Sequence, residues 1–348
     1  MFALRLIGGI FAAVLLITSA VRYRQQKISR LNLLISMAAG LIVGLLAVVP
    51  DVFDPLFRLF NFDPGGRRRL LGLSLLANLV LFVLVLRNMG QTELSARNMS
   101  LLVQSLSVQA FDWSQIRNLP DGPLVVVVMP AHNEALNVGD VVRAVPQELN
   151  GHKVVCLVVD DASEDETSQA AQQAGALVAR LPIRRGGGMA VRVGYEIALR
   201  LGATVVASMD ADGQHLPSEL SRVVGPILRG EVDMVQGSRM LGEFEKESRV
   251  RHLGVLFFSR LVFFMTRVPV TDVSNGYRAT RAETLKKLVL RQDQFWTSEL
   301  LIEGWRQNAR IAEVPVTVRA RSAGASKKPR PLRYGWNFTK AIFQTWLR

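Results

Sequence analysis

The sequence predicts an α/β fold with a mostly parallel sheet, preceded by transmembrane α-helices. Three observations lead there. Charge-free apolar stretches crowd residues 1–90, β-branched runs alternate with helical stretches from residue 124 onward, and polar clusters rich in carboxylates follow three of those runs. A chain of 348 residues that is 49% hydrophobic and 20% charged can build a full core, which excludes a disordered protein. The single cysteine, Cys156, excludes a disulfide framework and any multi-cysteine zinc or iron–sulfur centre. A formal charge of +13, from 42 Lys and Arg against 29 Asp and Glu, favours polyanionic partners: nucleic acid, anionic lipid or phosphorylated substrates.

Residues 1–90 read as a membrane domain with spans at about 6–21, 31–50 and 70–86. A spanning helix needs roughly 17–25 apolar residues, and Arg5 can snorkel to extend the short first segment. Thr18-Ser19-Ala20 would suit signal cleavage, but the positive cluster follows the apolar stretch, which favours a retained anchor. The loops flanking the second span nearly tie at four basic residues each, Arg22, Arg24, Lys27 and Arg30 against Arg58, Arg67, Arg68 and Arg69. The shorter, denser first cluster tips the positive-inside rule toward a cytoplasmic first loop. Three spans then leave everything beyond residue 86 cytoplasmic. The expected location is the cell (inner) membrane, multi-pass, with a cytoplasmic catalytic domain.

Residues 91–118 predict an amphipathic linker helix, with Leu94, Met99, Leu102, Leu106 and Phe111 at near-helical spacing. Pro120-Asp121-Gly122-Pro123 then breaks the chain and opens a domain over 119–330. Strands are expected at 124–129, 153–159, 176–180, 204–208 and 234–237. Helices are expected at 138–149 and 163–174, the second opened by Ser163 and Glu166 in capping-box spacing. The stretch 253–265, interrupted by Arg260, is too short to span and reads as an interfacial or core helix. Residues 331–348 form a basic amphipathic C-terminal helix, with Leu332, Trp336, Phe343, Trp346 and Leu347 on one face. Residues 319–348 carry eight Lys and Arg and no acid, which suits an anionic bilayer surface.

Ligands of open α/β sheets bind at the carboxyl ends of strands. The polar clusters sit there: Pro130-Ala131-His132-Asn133-Glu134, Asp160-Asp161-Ala162-Ser163, and Asp210-Ala211-Asp212-Gly213-Gln214-His215. Any one could be a helix cap, but three at successive strand ends point to a site. Asp210 and Asp212, one residue apart in a turn, can aim at one hard cation with the Gln214 carbonyl as third ligand. Oxygen ligands suit Mg²⁺ or Mn²⁺, completed by water and phosphate oxygens.

These residues carry a resemblance. Residues 123–328 resemble a family 2 glycosyltransferase of the GT-A fold, a Rossmann-like, mostly parallel sheet, and in particular the dolichol-phosphate mannosyltransferase and polyprenyl-phosphate glycosyltransferase branch. VVVVMPAHNEALNV is similar to the opening strand and P-x-x-N-E turn, VVDDASEDET to V-D-D-x-S-x-D-x-T, and DADGQHLP to D-A-D-x-Q-x-x-P. QGSRM, DVSNGYRAT and AEVPVTVRARSAGASKK then resemble the later G-S-R, N-G-Y-R and E-V-P-V…R-x-x-G-x-S-K segments. The N-terminal residues resemble a three-span membrane domain that accompanies some of these enzymes.

The resemblance implies that Pro130, Ala131, Glu134 and Asp161 hold the base and ribose of a UDP- or GDP-sugar. It implies that Asp210, Asp212 and Gln214 hold a divalent cation at the diphosphate, with Asp212 catalytic. Arg239, one of Arg249 or Arg251, Arg321 and Lys327 would contact donor diphosphate or acceptor phosphate. One departure stands out: Arg184-Arg185-Gly186-Gly187-Gly188-Met189-Ala190 occupies the place of N-x-G-K-G-A-A. Arginine replaces the usual asparagine and Gly187 the usual lysine. The glycine run can also be read as a phosphate cradle at a helix N-terminus.

A sugar-hydroxyl acceptor needs a general base, for which Glu299 and Asp272 are candidates. A phosphate acceptor, with its second pKa near 6, needs none. The Q-x-x-R-W motif of processive synthases is missing. The expected activity is therefore a membrane-bound inverting hexosyltransferase that uses a polyprenyl phosphate (undecaprenyl or dolichyl). The alternatives are transfer to a lipid or glycan hydroxyl, and a catalytically silent GT-A scaffold that binds nucleotide. Nucleic acid is not expected as a partner, and the oligomeric state is left open between monomer and homo-oligomer.

Overall fold

The structure, a computed structural model, describes residues 2–25, 30–49, 67–118, 122–243, 249–320 and 331–347. It divides into two compact units, Met1–Glu93 and Leu94–Arg348.

In the first unit, α1 (Phe2–Arg24) packs on α2 (Arg30–Val48) through small residues. A Cβ on Gly40 would lie 2.8 Å from the Leu16 side chain, and one on Gly44 would lie 3.5 Å from the Ala12 Cβ. Gly40 and Gly44 are thus a small-xxx-small pair that lets two backbones approach. Ile10, Phe11, Val14, Ile17, Leu34 and Leu41 remain exposed. Among the described residues, no helix is long and apolar enough to cross a membrane, so the spans expected at 6–21, 31–50 and 70–86 find no support there. The third segment and the expected linker are also not separate: α3 runs unbroken over Arg67–Gln109, and a 3-10 turn at Trp113–Asn118 follows.

Among the described residues, the second unit is built on one sheet of eight strands. In chain order these are β1 (Leu124–Ala131), β2 (Glu148–Leu149), β3 (His152–Asp160), β4 (Leu177–Arg180), β5 (Val205–Ser208), β6 (Met234–Ser238), β7 (Arg278–Arg281) and β8 (Ile311–Pro315). The order across the sheet is β2-β3-β1-β5-β7-β6-β8, with β4 also paired to β3. Pairs β1–β3, β1–β5, β3–β4 and β6–β8 are parallel; β2–β3, β5–β7 and β6–β7 are antiparallel.

β1 explains the continuous valine run. Val126 and Val128 face one apolar cluster with Val103 and Val108 of α3, Phe111 just beyond its end, and the buried side of α6 (Gly187–Arg200). Val125, Val127 and Met129 face the opposite cluster with α4 (Val138–Ala144) and α7 (Leu220–Leu228). A strand covered on both faces has no polar face to alternate. A third cluster joins α8 (Arg249–Thr266), α10 (Trp296–Arg306) and α11 (Pro331–Trp346) through Phe258, Val262, Leu301, Ile302, Phe338 and Ile342. The remaining helices are α5 (Thr167–Gln173) and the single turn α9 (Ala282–Leu285).

Several expectations need correction. The helix expected over 138–149 stops at Ala144, because Val145 precedes Pro146 and is forced extended (φ −71°, ψ 130°). Asn150 and Gly151, both at positive φ, then turn the chain from β2 into β3. The helix expected from 163 begins at Thr167, since the Ser163 hydroxyl accepts the Asn133 amide instead of capping. β7 was not anticipated; its R-A-T-R sequence lacks an apolar run, and it makes the sheet mixed.

α6 lies close on the sheet because of Gly194, where a Cβ would fall 2.3 Å from Val128 Cγ1 and 3.0 Å from Val159 Cγ2. Gly194→Ala should lift that helix and lower stability by about 1–3 kcal/mol, read as a drop in the unfolding midpoint. An unchanged midpoint would contradict this packing.

Candidate active site

Sequence folds the three polar clusters side by side. β1 lies between β3 and β5, and the chain crosses from one side of β1 to the other, which makes its carboxyl end the switch point. Ala131 is in register with Asp160, and the Asp161 amide donates to the Ala131 carbonyl at 2.8 Å. Pro130, Ala131, Glu134 and Asp161 thus gather at one edge, as the sequence led us to expect.

Two turns shape this edge. Asn133 and Ala162 adopt left-handed φ of 52° and 53°. Asn133 donates its amide to Ser163 Oγ (2.9 Å) and accepts the Glu164 amide on Oδ1 (2.8 Å). The buried Glu134 accepts from Asn137 Nδ2 (2.9 Å), while its amide donates to Thr167 Oγ1 (2.8 Å). The neighbouring acids divide their work. Asp160, fully buried, accepts from the Ser163 amide and Arg180 Nη1 and so has a structural role. Asp161 accepts the amides of Arg185 and Gly186, each at 2.7 Å. Burial raises its pKa above the usual aspartate range, against the opposing pull of those amides, His132 and Arg184.

The second cluster follows β5. The side chain of Asp210 is 45% exposed, whereas Asp212 is buried and accepts the Gln214 amide on Oδ1 (3.1 Å). Beneath them His215 accepts the Asp210 amide on Nδ1 (3.2 Å); its proton therefore sits on Nε2, which faces Asn275 Oδ1 at 2.9 Å. The N-G-Y segment packs against this turn: a Cβ on Gly276 would come within 3.0 Å of Asp210 Oδ1. Gln214 Nε2 donates to the Arg319 carbonyl (2.9 Å), and the Arg319 amide donates to the Gln214 carbonyl (2.8 Å). The chain leaving β8 is thereby pinned across the Asp210–Gln214 turn. Arg321 and Lys327 lie outside the described residues, as do 244–248, and nothing is described of the Arg249 and Arg251 side chains.

Among the described residues, no three His, Cys, Asp or Glu converge as metal ligands. Two carboxylates and one amide oxygen form an incomplete, all-oxygen donor set. That fits a hard cation that keeps water and takes phosphate oxygens, and does not fit a closed zinc site.

Three other expected groups have internal partners. Arg239 Nε donates to the fully buried Asp272 at 2.6 Å, and its Nη2 reaches Ser274 Oγ at 3.2 Å. Both Arg239 and the candidate base Asp272 are thus held by each other. Glu299, also buried, accepts the amides of Arg291 and Gln292, each at 2.9 Å. This anchors the turn that precedes α10. The glycine run is likewise a packing feature: a Cβ on Gly188 would lie 2.3 Å from the Gln292 carbonyl oxygen, and one on Gly186 would lie 2.8 Å from that of Asp293.

Sequence reasoning placed His215 at the end of the third polar cluster without giving it a role, and passed over Arg278, which lies inside a quoted motif. Arg278 is fully buried, donates to the carbonyls of Asn275 (2.6 Å) and Thr297 (2.6 Å), and stacks 5.2 Å from the Trp296 ring. Burial lowers its pKa to about 10.

A switch-point site with an acidic oxygen turn, on this mixed sheet, defines a GT-A-like glycosyltransferase. Glucosyl-3-phosphoglycerate synthase from Mycobacterium tuberculosis, solved with Mn²⁺, UDP and glucosyl-3-phosphoglycerate, matches over 65% of this chain and 79% of that one, with a TM-score of 0.50 and 25% identity. The family model described as Glycosyl transferase family 2 matches residues 126–289. The polyprenol monophosphomannose synthase of Mycolicibacterium smegmatis is 32% identical over 236 residues, covering 63% of this chain and 84% of that protein. The undecaprenyl-phosphate mannosyltransferase of Micrococcus luteus is 31% identical over 218 residues, covering 58% and 86%. The UDP-N-acetylglucosamine–dolichyl-phosphate N-acetylglucosaminyltransferase of Methanococcus voltae is 29% identical, covering 56% and 84%. The chain belongs to glycosyltransferase family 2 and is a glycosyltransferase.

The geometry of Glu299 makes a prediction. Glu299→Gln keeps one acceptor and sets an amide N–H against the other backbone donor, so stability should fall by about 1–3 kcal/mol. Turnover should fall far less than the roughly 10²–10⁴-fold expected for a lost general base. A collapse of kcat at unchanged thermal stability would restore Glu299 as the base.

Proposed function

We propose that this enzyme transfers a hexose from a UDP- or GDP-sugar to a polyprenyl phosphate, with inversion, at the cytoplasmic face of the cell membrane. The observation that carries the reading is the Asp210–Gln214 turn at the carboxyl edge of the switch point, with the β8 exit pinned across it. Pro130, Ala131, Glu134 and Asp161 border the base and ribose. Asp210, Asp212 and Gln214 hold Mg²⁺ or Mn²⁺ at the diphosphate. The cation, when bound, supplies Lewis acidity that stabilises the departing nucleoside diphosphate. Arg321 begins two residues beyond the Arg319 crossing; it and Lys327 are assigned to the acceptor phosphate, where guanidinium recognition is strong.

An acceptor phosphate oxygen attacks the anomeric carbon as the bond to the diphosphate breaks, and the electron pair leaves with the nucleotide. No proton needs removal, because the phosphate is already anionic at neutral pH. The internal hydrogen bonds of Asp272 and Glu299 support this acceptor, since both candidate bases are engaged in holding backbone or arginine. The names of the Mycolicibacterium, Micrococcus and Methanococcus relatives support the same class of acceptor.

A lipid acceptor also accounts for apolar side chains turned outward. On α8, Leu253, Phe257 and Phe264 are exposed opposite the buried Val255, Phe258 and Val262, with Arg260 exposed among them. On α11, Trp336 and Phe343 are exposed opposite the buried Phe338, Ala341 and Ile342. Aromatic residues interleaved with cations suit a bilayer interface. The exposed apolar residues of α1 and α2, joined at Gly40 and Gly44, support N-terminal anchoring in the membrane.

Two measurements test this reading. Asp212→Ala should abolish transfer while the protein stays folded, and EDTA should do so reversibly; full activity of either preparation would remove the metal assignment. Arg321→Ala should weaken the complex with a short-chain prenyl phosphate by ~1.5–3 kcal/mol, roughly 10- to 150-fold. An unchanged KM for that acceptor would argue for a hydroxyl acceptor instead.

A further inference from the structure

Each carboxylate oxygen of Asp161 accepts a backbone amide of the 184–188 loop, so whatever holds that loop also sets this carboxylate. The loop is held by Asp293. Its backbone carbonyl accepts the Gly188 amide at 2.8 Å. Its carboxylate accepts from Arg185 Nη2 on one oxygen and from Arg192 Nη2 on the other, the latter at 2.6 Å. Ser100 of α3 completes the cluster, donating to Asp293 Oδ2 (3.0 Å) and accepting from Arg185 Nη2 (2.8 Å).

The cluster is electrostatically lopsided. Two guanidinium groups share one carboxylate, and Arg185 Nε, Arg192 Nε and Arg192 Nη1 are buried without a hydrogen-bond partner among the described residues. Removing the carboxylate would leave two cations in a site from which water is largely excluded, a costly arrangement. The cheapest relief is for the Arg185 side chain to swing out, which drags the Arg185 and Gly186 amides away from Asp161. Gly186 (φ 108°) lies against the Asp293 carbonyl with no room for a Cβ, so loop and turn move as one body.

We infer that Asp293 is a positioning residue for the nucleotide subsite: it fixes the 184–188 loop, and through it Asp161, in the geometry that receives the donor. Ser100 ties the same loop to α3. The inference rests on the assignment of Asp161 to donor binding. The hydrogen bonds of Asp293 run to Ser100, Arg185, Arg192 and Gly188, so it acts through the loop, and its loss moves donor affinity and leaves the chemical step.

The test uses the full chain, with UDP and GDP as probes in the presence of Mg²⁺, and compares Kd with kcat at saturating nucleotide-sugar. Asp293→Asn should raise Kd roughly 5- to 50-fold, and Ser100→Ala, which removes a single hydroxyl, roughly 2- to 5-fold, with kcat held within about threefold. Unchanged Kd in both variants overturns the inference, as does a collapse of kcat at unchanged Kd. If Asp293→Asn fails to fold, Ser100→Ala decides alone: an unchanged Kd overturns the inference. Asp161→Asn is the reference. If it binds both probes as tightly as the unmodified enzyme, the donor-subsite reading itself is wrong. If it loses binding while the Asp293 and Ser100 variants do not, only the positioning inference fails.

Discussion

The constraint on which this catalytic unit depends is the burial of β1 along Leu124–Met129. Apolar side chains cover both of its faces, and its edges are filled by β3 and β5. Nothing polar can be placed along such a strand without stranding an unpaired group in the core. Polar chemistry is therefore confined to the point where the strand ends. Because β3 and β5 run parallel to β1 in close register, their ends arrive at the same edge. The convergence of Glu134, Asp161 and Asp210 follows from strand direction and requires no long-range attraction among the acids.

Burial also separates the acids that build the site from those that serve it. Asp160, Asp272 and Glu313 lie in the motifs and Glu299 between two of them, and all four have their oxygens engaged by backbone amides, hydroxyls or arginine. Glu313 receives the amides of Thr271 and Asp272, and burial raises its pKa. These groups tie the segments 271–276, 291–294 and 311–315 to the sheet. Asp210 differs in its exposure, and the segments so fixed are what hold it: Gly276 lies against its carboxylate and His215 accepts its amide.

What the sequence made readable followed the same physics. Five strands were anticipated close to their observed bounds, since buried parallel strands are written as apolar runs. The acidic turn and switch-point residues could be read because they directly follow those runs. The polar, antiparallel β7 left no such trace, nor did the continuity of α3, whose apolar and amphipathic halves look like separate helices. The stop at Val145 is written in Pro146 and the β2–β3 turn in Asn150-Gly151. Arg239 and Glu299 could not be sorted from sequence at all. An arginine facing a diphosphate and one facing Asp272 have the same local surroundings along the chain.

The loop 184–188 is where the chain departs most from the family pattern, and its three glycines answer to different constraints. Gly186 and Gly188 are required by contact, because each has carbonyl oxygen of the 292–293 turn where a Cβ would go. Gly187 is not: the nearest atom to a Cβ there is Trp296 Nε1, at 3.9 Å. A lysine would fit at that position, so its replacement does not follow from packing. The loop nevertheless keeps an exposed cation beside Asp161, since Arg184 is solvent-facing and close enough to lower the Asp161 pKa. Arg185, by contrast, is spent on Asp293 and the loop's own anchorage. The positive charge that the family pattern puts on a lysine within the glycine run stands here three residues earlier, while the glycines have become the surface on which the turn before α10 rests.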